Sequence, residues 1–187
     1  MKKLNFPLAI PSGNISSGIS PISAQDVAEE FKKKLNFIID GGVSKIGIES
    51  TVVDLSSKIK ILRPGIISSK EISKVLKKKV KNVKQHRSIK APGALKFHYS
   101  PGIPIKMNAK NSSKNHAFII FGKRYKNTKN SFNLSKKSNL NEAAKNLYKI
   151  FRKIKKLKYK KINVVKIPNK KVGVAINDRI KKASGTK

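Results

Sequence analysis

The chain contains no cysteine, few carboxylates and little arginine. Its 187 residues carry nine acidic side chains against 44 basic ones, a formal charge of +35. The lack of cysteine excludes disulfides, thiolate nucleophiles and cysteine-ligated metals. No apolar run approaches the ~20 residues that a membrane-spanning helix needs. The opening MKKLNFPLAIPSGN is broken by Asn5 and Pro7 and makes a poor signal peptide. These absences lead to the expectation of a cytoplasmic protein with no membrane partner. Only five of the basic residues are arginine, at 63, 87, 124, 152 and 179, leaving 39 lysines. Base-edge readers and bidentate phosphate clamps favour arginine. Lysine spread over nearly every element, alongside much isoleucine and asparagine, suits compositional bias at least as well as a nucleic-acid surface, with general polyanion affinity as a consequence.

What is present is a folded pattern. Hydrophobic content is 38%, and apolar residues recur with strand and helix periods along the chain. Phe6–Ile10 reads as a short strand entering a Ser/Gly/Pro loop that runs to Pro21. Ser23 with Asp26 makes a capping box for a helix over about 24–35, with Val27, Ala28, Phe31 and Leu35 on one face. Phe37–Asp40 reads as a strand ended by Gly41–Gly42. Ser68 with Glu71 repeats the capping signature ahead of a helix over 72–80, whose Ile72, Val75, Leu76 and Val80 form a buried stripe. Residues 81–115 hold three prolines and little periodicity, and read as a linker crossing a surface. Beyond it the rhythm is strand 117–121, a helix capped by Asn139 and running to about Leu157, strand 162–166, and a helix over 172–183. Alternation of this kind predicts a small parallel α/β layer. Lys153–Lys161 reads as a solvated helix end.

Between these parts lies Ile46–Gly65, IGIESTVVDLSSKIKILRPG, which reads as a β-hairpin. Its first strand covers 46–54, a polar reversal follows at 55–58, and Ile59–Arg63 returns before Pro64–Gly65. Ser50 and Thr51 interrupt an apolar strand, so their hydroxyls need backbone, water or ligand partners. Arg63 sits where a rigid Pro-Gly would hold a guanidinium against carboxylate or phosphate. Taken alone, each of these also has a plain structural reading: strand hydroxyls, a surface arginine, an Asx-type loop at Ser12–Asn14. Tyr99 reads as a packing anchor, His86 and His116 as surface residues, and Glu49, Asp54 and Asp178 as structural partners of lysines. No general acid/base pair is evident.

In order, PSGN and SGISP, then ESTVVD, LRPG and APGALKFHYSP, resemble the threonylcarbamoyl-AMP synthase family with its YrdC-like domain. The tail NEAAKNLYKIF … VGVAINDRIKKA is similar to the end of the longer, two-domain form. The resemblance implies an α/β fold: the C-terminal half of a YrdC-like twisted mixed α/β domain, a Pro/Gly linker, and a small Rossmann-like parallel α/β domain. The expected boundaries are 1–85, 86–115 and 116–187. It implies a nucleotidyltransferase that joins L-threonine, bicarbonate and ATP into threonylcarbamoyl-AMP, releasing pyrophosphate. The product feeds tRNA modification through a downstream threonylcarbamoyl-transferase. Mg²⁺ would travel with the triphosphate, and double-stranded RNA or tRNA is an expected partner. By motif position, Ser12, Asn14, Ser20, Arg63 and Tyr99 match ATP contacts, while Ile10 and Ser50 match threonine contacts. The linker bearing Tyr99 is implied to cover the site.

The family also carries a Lys-x-Arg pair upstream of Ser-x-Asn, which here begins at residue 12, and Lys2–Lys3 is no substitute. The expectation is a chain that holds only part of the catalytic domain and is inactive alone. A non-catalytic basic RNA-binding module and an inactive remnant are the alternatives.

Overall fold

A computed structural model describes residues 4–56, 58–83 and 97–185. Among the described residues seven short strands form two sheets, accompanied by four α-helices. The first is β1 (Val52–Asp54), β2 (Lys60–Arg63) and β3 (Lys81–Asn82). The second is β4 (Ile105–Lys106), β5 (Ala117–Ile120), β6 (Ser131–Asn133) and β7 (Ile162–Val164), in the order β4-β7-β5-β6 with every pair parallel. The helices are α1 (Ala24–Phe31), α2 (Ser69–Leu76), α3 (Leu140–Lys156) and α4 (Gly173–Ser184).

The second sheet owns the core. Its strands are short apolar runs of the kind that parallel sheets bury on both faces. α3 contributes Ala143, Ala144, Leu147, Tyr148, Phe151 and Ile154, spaced at helical period. α4 adds Ala175, Ile176, Ile180 and Ala183. Asn139 caps α3 by accepting from the Asn141 and Glu142 amides. Among the described residues ahead of β4, Ile19, Ile48 and Tyr99 join this core as buried members.

The expected hairpin forms, β1 pairing antiparallel with β2 across a bulge at Val52/Val53. The expected first strand from 46 is nevertheless shorter. Gly47 has φ +81°, and a Cβ there would lie 2.5 Å from the Lys145 Cα on α3. The chain at 46–51 is thus pressed onto a helix, where its side chains find partners and its backbone makes no ladder. Gly65 answers a similar constraint, since a Cβ would meet the Thr51 amide at 2.3 Å. In the turn, the Ser56 amide and hydroxyl both donate to Asp54 Oδ1. That pair of bonds, with Lys60 beside it, holds the Asp54 carboxyl down at about 2.

Several expected elements differ. Phe6–Ile10 and Phe37–Asp40 are not strands; Phe37 and Ile10 are 80% and 70% exposed. Strands need a neighbour, and none among the described residues pairs with them. α1 stops at Phe31, where Lys32 takes a positive φ, and a 3-10 turn continues to Lys34. Its box is half formed: the Ser23 hydroxyl accepts from Asp26, while Asp26 accepts from Ile22 instead of Ser23. α2 has the full box of Ser68 and Glu71 but spans Ser69–Leu76 rather than 72–80; of the expected stripe Val80, beyond the helix, is buried and Ile72 half-buried, while Val75 is 81% exposed and Leu76 also faces out. The segment read as a surface linker contains β3 and β4, and β4 is an edge of the main sheet. Tyr99, Ile105 and Ala109 are buried. His86 and the APGALK stretch lie outside the described residues.

Truncating Phe151 to Ala should cost about 3–5 kcal/mol in a denaturant melt, by lost transfer energy and a residual cavity. Val75→Ala should change stability by less than about 0.5 kcal/mol. Equal effects would contradict this placement of the core.

Candidate functional site

The site is built around Glu49, which arrives on the loop pressed against α3. Its Oε1 accepts from the Ser20 hydroxyl at 2.5 Å and from the Tyr148 hydroxyl at 3.0 Å. Its Oε2 accepts from Arg179 Nε at 2.7 Å. Arg179 is 0% exposed. Its remaining donors reach Asp178 Oδ2 at 2.6 Å and the Pro64 carbonyl at 3.0 Å. Five segments therefore converge on one ion pair: the Ser20 loop, the Glu49 loop, the end of β2, α3 and α4.

Tyr99 caps this pair. Its ring lies stacked 5.9 Å from Tyr148 and carries the Arg179 guanidinium 4.9 Å from its centroid. His98 tilts against it at 4.1 Å. Tyr99 has φ +62°, an uncommon conformation for an aromatic residue. Its neighbours hold it there: the Ser100 amide donates to the Ser17 carbonyl and the His98 amide to Lys182. Gly18 and Ser100 also form a parallel bridge. The Tyr99 segment is thereby tied to the serine-rich loop and to α4.

Arg63 lies on the other flank. Its Nε donates to the Ser50 carbonyl at 3.0 Å and its Nη2 to the Ser50 hydroxyl at 3.3 Å. Its charge reaches both Tyr99 and His98. Thr51, the other interrupting hydroxyl, donates to the Ile67 carbonyl and plays a strand-end role.

Protonation follows this packing. Burial pushes Glu49 up, but the Arg179 charge and the bonds from Ser20 and Arg179 outweigh it and hold the carboxyl below its usual value. Burial raises Tyr148 well above its ordinary value, and the adjacent Glu49 adds to the effect. Tyr99 is raised by burial too. Burial lowers His98; the Glu49 charge opposes this, while the nearby cations add to it. Near neutrality the cluster holds ionised Glu49 and Arg179, neutral tyrosines and a neutral imidazole.

Of the seven residues expected at the site, Ser20, Ser50, Arg63 and Tyr99 are drawn together by this network. Asn14 lies outside this network, its Nδ2 donating to the carbonyls of Ile15 and Gly18 while its buried Oδ1 has no partner among the described residues. Ser12 and Ile10 lie on the exposed N-terminal segment. Clefts of about 730, 410, 360 and 560 Å³ open elsewhere, and none of the seven lines them. Glu49 was expected beside lysines and pairs instead with a buried arginine. Arg179 and Tyr148 escaped the sequence reading. Their signal was present, since both occupy core-facing positions of apolar helical stripes, where a charge demands a buried counter-charge. Among the described residues no group of three or more His, Asp or Glu could hold a metal, and no helix is long and apolar enough to cross a membrane.

Comparison with known proteins gives consistent results. Residues 67–185 match the family model described as threonylcarbamoyl-AMP synthase, C-terminal domain, and residues 1–65 match one described as telomere recombination. A Pyrococcus abyssi threonylcarbamoyl-AMP synthase is 33% identical over 203 residues, covering 96% of this chain and 58% of the relative. A Schizosaccharomyces pombe protein of the same name is 35% identical, covering 63% of this chain and 31% of the relative. The crystal structure of Pyrococcus abyssi Sua5 complexed with L-threonine superposes with a TM-score of 0.80 at 32% identity, covering 94% of this chain and 57% of that one. A variant of that protein, with an adjacent histidine and tyrosine both replaced by alanine, superposes at 0.74 with 30% identity, covering 94% and 56%. The chain thus spans somewhat over half the length of the Pyrococcus relative.

Glu49→Gln should destabilise the chain by about 3 kcal/mol, because it leaves Arg179 buried with only Asp178 as counter-charge. Glu49 is lowered in the fold, so its contribution is full above the ordinary value of 4.5 and is lost as pH falls through the lowered value. Thermal melts across that range should show a shallower acid loss in the variant than in the parent. Parallel curves would contradict the pairing.

Proposed function

The chain belongs to the threonylcarbamoyl-AMP synthase family, and from that premise we propose that it forms one wall of a site making threonylcarbamoyl-AMP and pyrophosphate from L-threonine, bicarbonate and ATP. The observation that carries this reading is the convergence of Ser20, Ser50, Arg63 and Tyr99 on the Glu49–Arg179 pair. These residues come from motifs spread over 80 positions, and a single buried ion pair brings them together. In this reading residues 1–85 supply the wall, 86–115 the cover, and 116–187 the α/β body that anchors both.

The chemistry assigned to each side chain follows from its bonds. The Ser20 hydroxyl donates its hydrogen bond to Glu49, so it offers a ligand only lone pairs. Asn14 Oδ1, buried without a partner, suits an N–H donor such as an adenine amine. Arg63 is fixed in orientation by Ser50 and supplies positive charge near where phosphates would lie. Ser50, at the junction of the two, is positioned for threonine. Ile10 and Ser12 approach from the exposed N-terminal segment and are completed by closure around ligand. Tyr99 and its proline-bearing segment shield the mixed anhydride from water. The paired histidine and tyrosine replaced in the Pyrococcus variant support a role for the adjacent pair His98–Tyr99. Among the described residues no carboxylate cluster offers itself to Mg²⁺, which would come bound to the triphosphate.

The exposed apolar side chains of residues 4–46, among them Phe6, Ile10, Phe37 and Ile39, support a second element of the proposal. Turnover requires the part of the relatives' length that this chain does not match, on the same polypeptide or another. That reading is favoured over a non-catalytic RNA module or an inactive remnant, because the Glu49 cluster is intact.

Pyrophosphate release should require ATP, threonine and bicarbonate together and should appear only when the complementing part is present. Arg63→Lys should weaken ATP binding about tenfold by calorimetry, with a smaller effect on threonine, because an ammonium cannot reproduce the oriented fork. Ser50→Ala should weaken threonine about three- to tenfold, the loss of one hydrogen bond. ATP affinity unchanged in the Arg63 variant would refute the assignment.

A further inference from the structure

Lys182 lies in the last turn of α4 with its side chain 14% exposed, against 63% for Lys156 on α3. Its ammonium donates to Asp178 Oδ2 at 3.0 Å, one turn back on the same helix. That oxygen also accepts from Arg179 Nη1 at 2.6 Å, so it serves two cations. An ammonium has three donors, and the other two of Lys182 meet no acceptor among the described residues. The helix dipole favours a cation at this end, but the exposed neighbour Lys181 meets that need equally. Drawing Lys182 out of water adds nothing to it.

The Lys182 carbonyl accepts from the His98 amide, so the segment that carries Tyr99 starts on this turn of α4. Around that step Arg63, Arg179 and Lys182 stand against two carboxylates, Glu49 and Asp178. The chain's seven other carboxylates are engaged elsewhere. Asp26, Glu29 and Glu30 hold Arg152 and Lys156, and Asp54 holds Lys60. Asp40, Glu71 and Glu142 take local amides or hydroxyls. Positive charge is therefore in excess where the Tyr99 segment meets α4. Burial pushes the Lys182 ammonium down in pKa; Asp178 opposes this, and the nearby Arg179 and Arg63 charges add to it. His98 Nδ1 is buried at the same place and has no partner among the described residues. Spare ammonium donors, excess charge and an orphaned ring nitrogen together suit an oxyanion.

We propose that Lys182 is a further ligand-binding residue of the adenylate-forming site, its ammonium receiving the terminal two phosphates of ATP together with Arg63 and His98. This rests on the adenylate reading and adds to it a cation supplied by the α/β body. In the transfer, an oxygen of the threonine carbamate bonds to the α-phosphorus. The bond from that phosphorus to the bridging oxygen of the next phosphate breaks, and its electron pair leaves on pyrophosphate. A cation fixed beside the leaving group gains attraction as that charge develops. AMP lacks those phosphates and makes no contact with Lys182.

The test is calorimetric titration of the full chain with pyrophosphate, ATP and AMP at near-physiological salt. Lys182→Met keeps the apolar stem and leaves Asp178 to Arg179. It should weaken pyrophosphate and ATP about tenfold, the loss of one charge-assisted bond, and AMP less than about twofold. Lys182→Arg keeps the charge and should stay within about threefold of the parent. Lys181→Met, on the same turn, should change each affinity less than about twofold. A second measurement needs no variant: pyrophosphate should slow acetylation of Lys182 several-fold relative to Lys181, read by mass spectrometry, and AMP should not. Pyrophosphate held through Lys182 without any binding of AMP or threonine would keep this site and sink the adenylate reading. Normal ATP and threonine binding in Lys182→Met would sink this inference alone. Equal losses in the Lys181 and Lys182 variants, or no protection of Lys182 by pyrophosphate, would also overturn it.

Discussion

A fully buried guanidinium with a carboxylate on it is the constraint from which the rest of this structure follows. Arg179 is enclosed by α3, α4, the end of β2 and Tyr99, and Glu49 reaches it at 2.7 Å. Removing either charge leaves the other stranded in a low-dielectric interior, where the penalty is several kcal/mol. The loop that carries Glu49 must therefore lie against α3, and the Gly47 contact with Lys145 shows how close that approach is. Because Glu49 also takes Ser20 and Tyr148, the serine-rich loop is pulled to the same point. A segment with almost no core of its own is thus seated on the α/β body by polar contacts.

The same arithmetic of scarce anions governs the surface. With 44 cations and nine carboxylates, each carboxylate has a definite structural assignment. Asp26, Glu29 and Glu30 fasten α1 to α3 through Arg152 and Lys156, and Arg152 reaches on to the Ile19 carbonyl at 2.7 Å. Such pairs are worth little when exposed, but Arg152, Asp26 and Glu30 are mostly shielded. α1 has no buried residue, so these bonds, not apolar burial, set its place. Lysines left over cover the outside.

For the proposed chemistry, the network trades freedom for orientation. Serine hydroxyls that could face any partner have been assigned: Ser20 donates a hydrogen bond to Glu49, and Ser50 accepts one from Arg63. Tyr99 is held at a positive φ by bonds on both sides of it. A site built in this way reads a ligand by preset lone pairs and charges, at a cost in backbone strain of about 1–3 kcal/mol.

Wherever a short stretch carries its own reason for its conformation, it was legible in the residues. The Ser68–Glu71 box, the Asn139 cap, the apolar stripe of α3, and β5 and β7 as apolar runs all formed where periodicity places them. The motif positions Ser20, Ser50, Arg63 and Tyr99 were likewise legible, and they meet. Strands that depend on a partner were not. Phe6–Ile10 and Phe37–Asp40 have strand composition but no neighbour among the described residues. β4 and β6 have little composition of their own and exist because β7 and β5 lie beside them. Nor could local pattern say that Arg179 would be buried and matched to an acid 130 positions away. The sequence alone determined the caps, periods and motifs, which are settled within a few turns of chain. Which backbone groups pair and which charges are taken out of water depends on contacts between distant segments, and only the tertiary structure decided those.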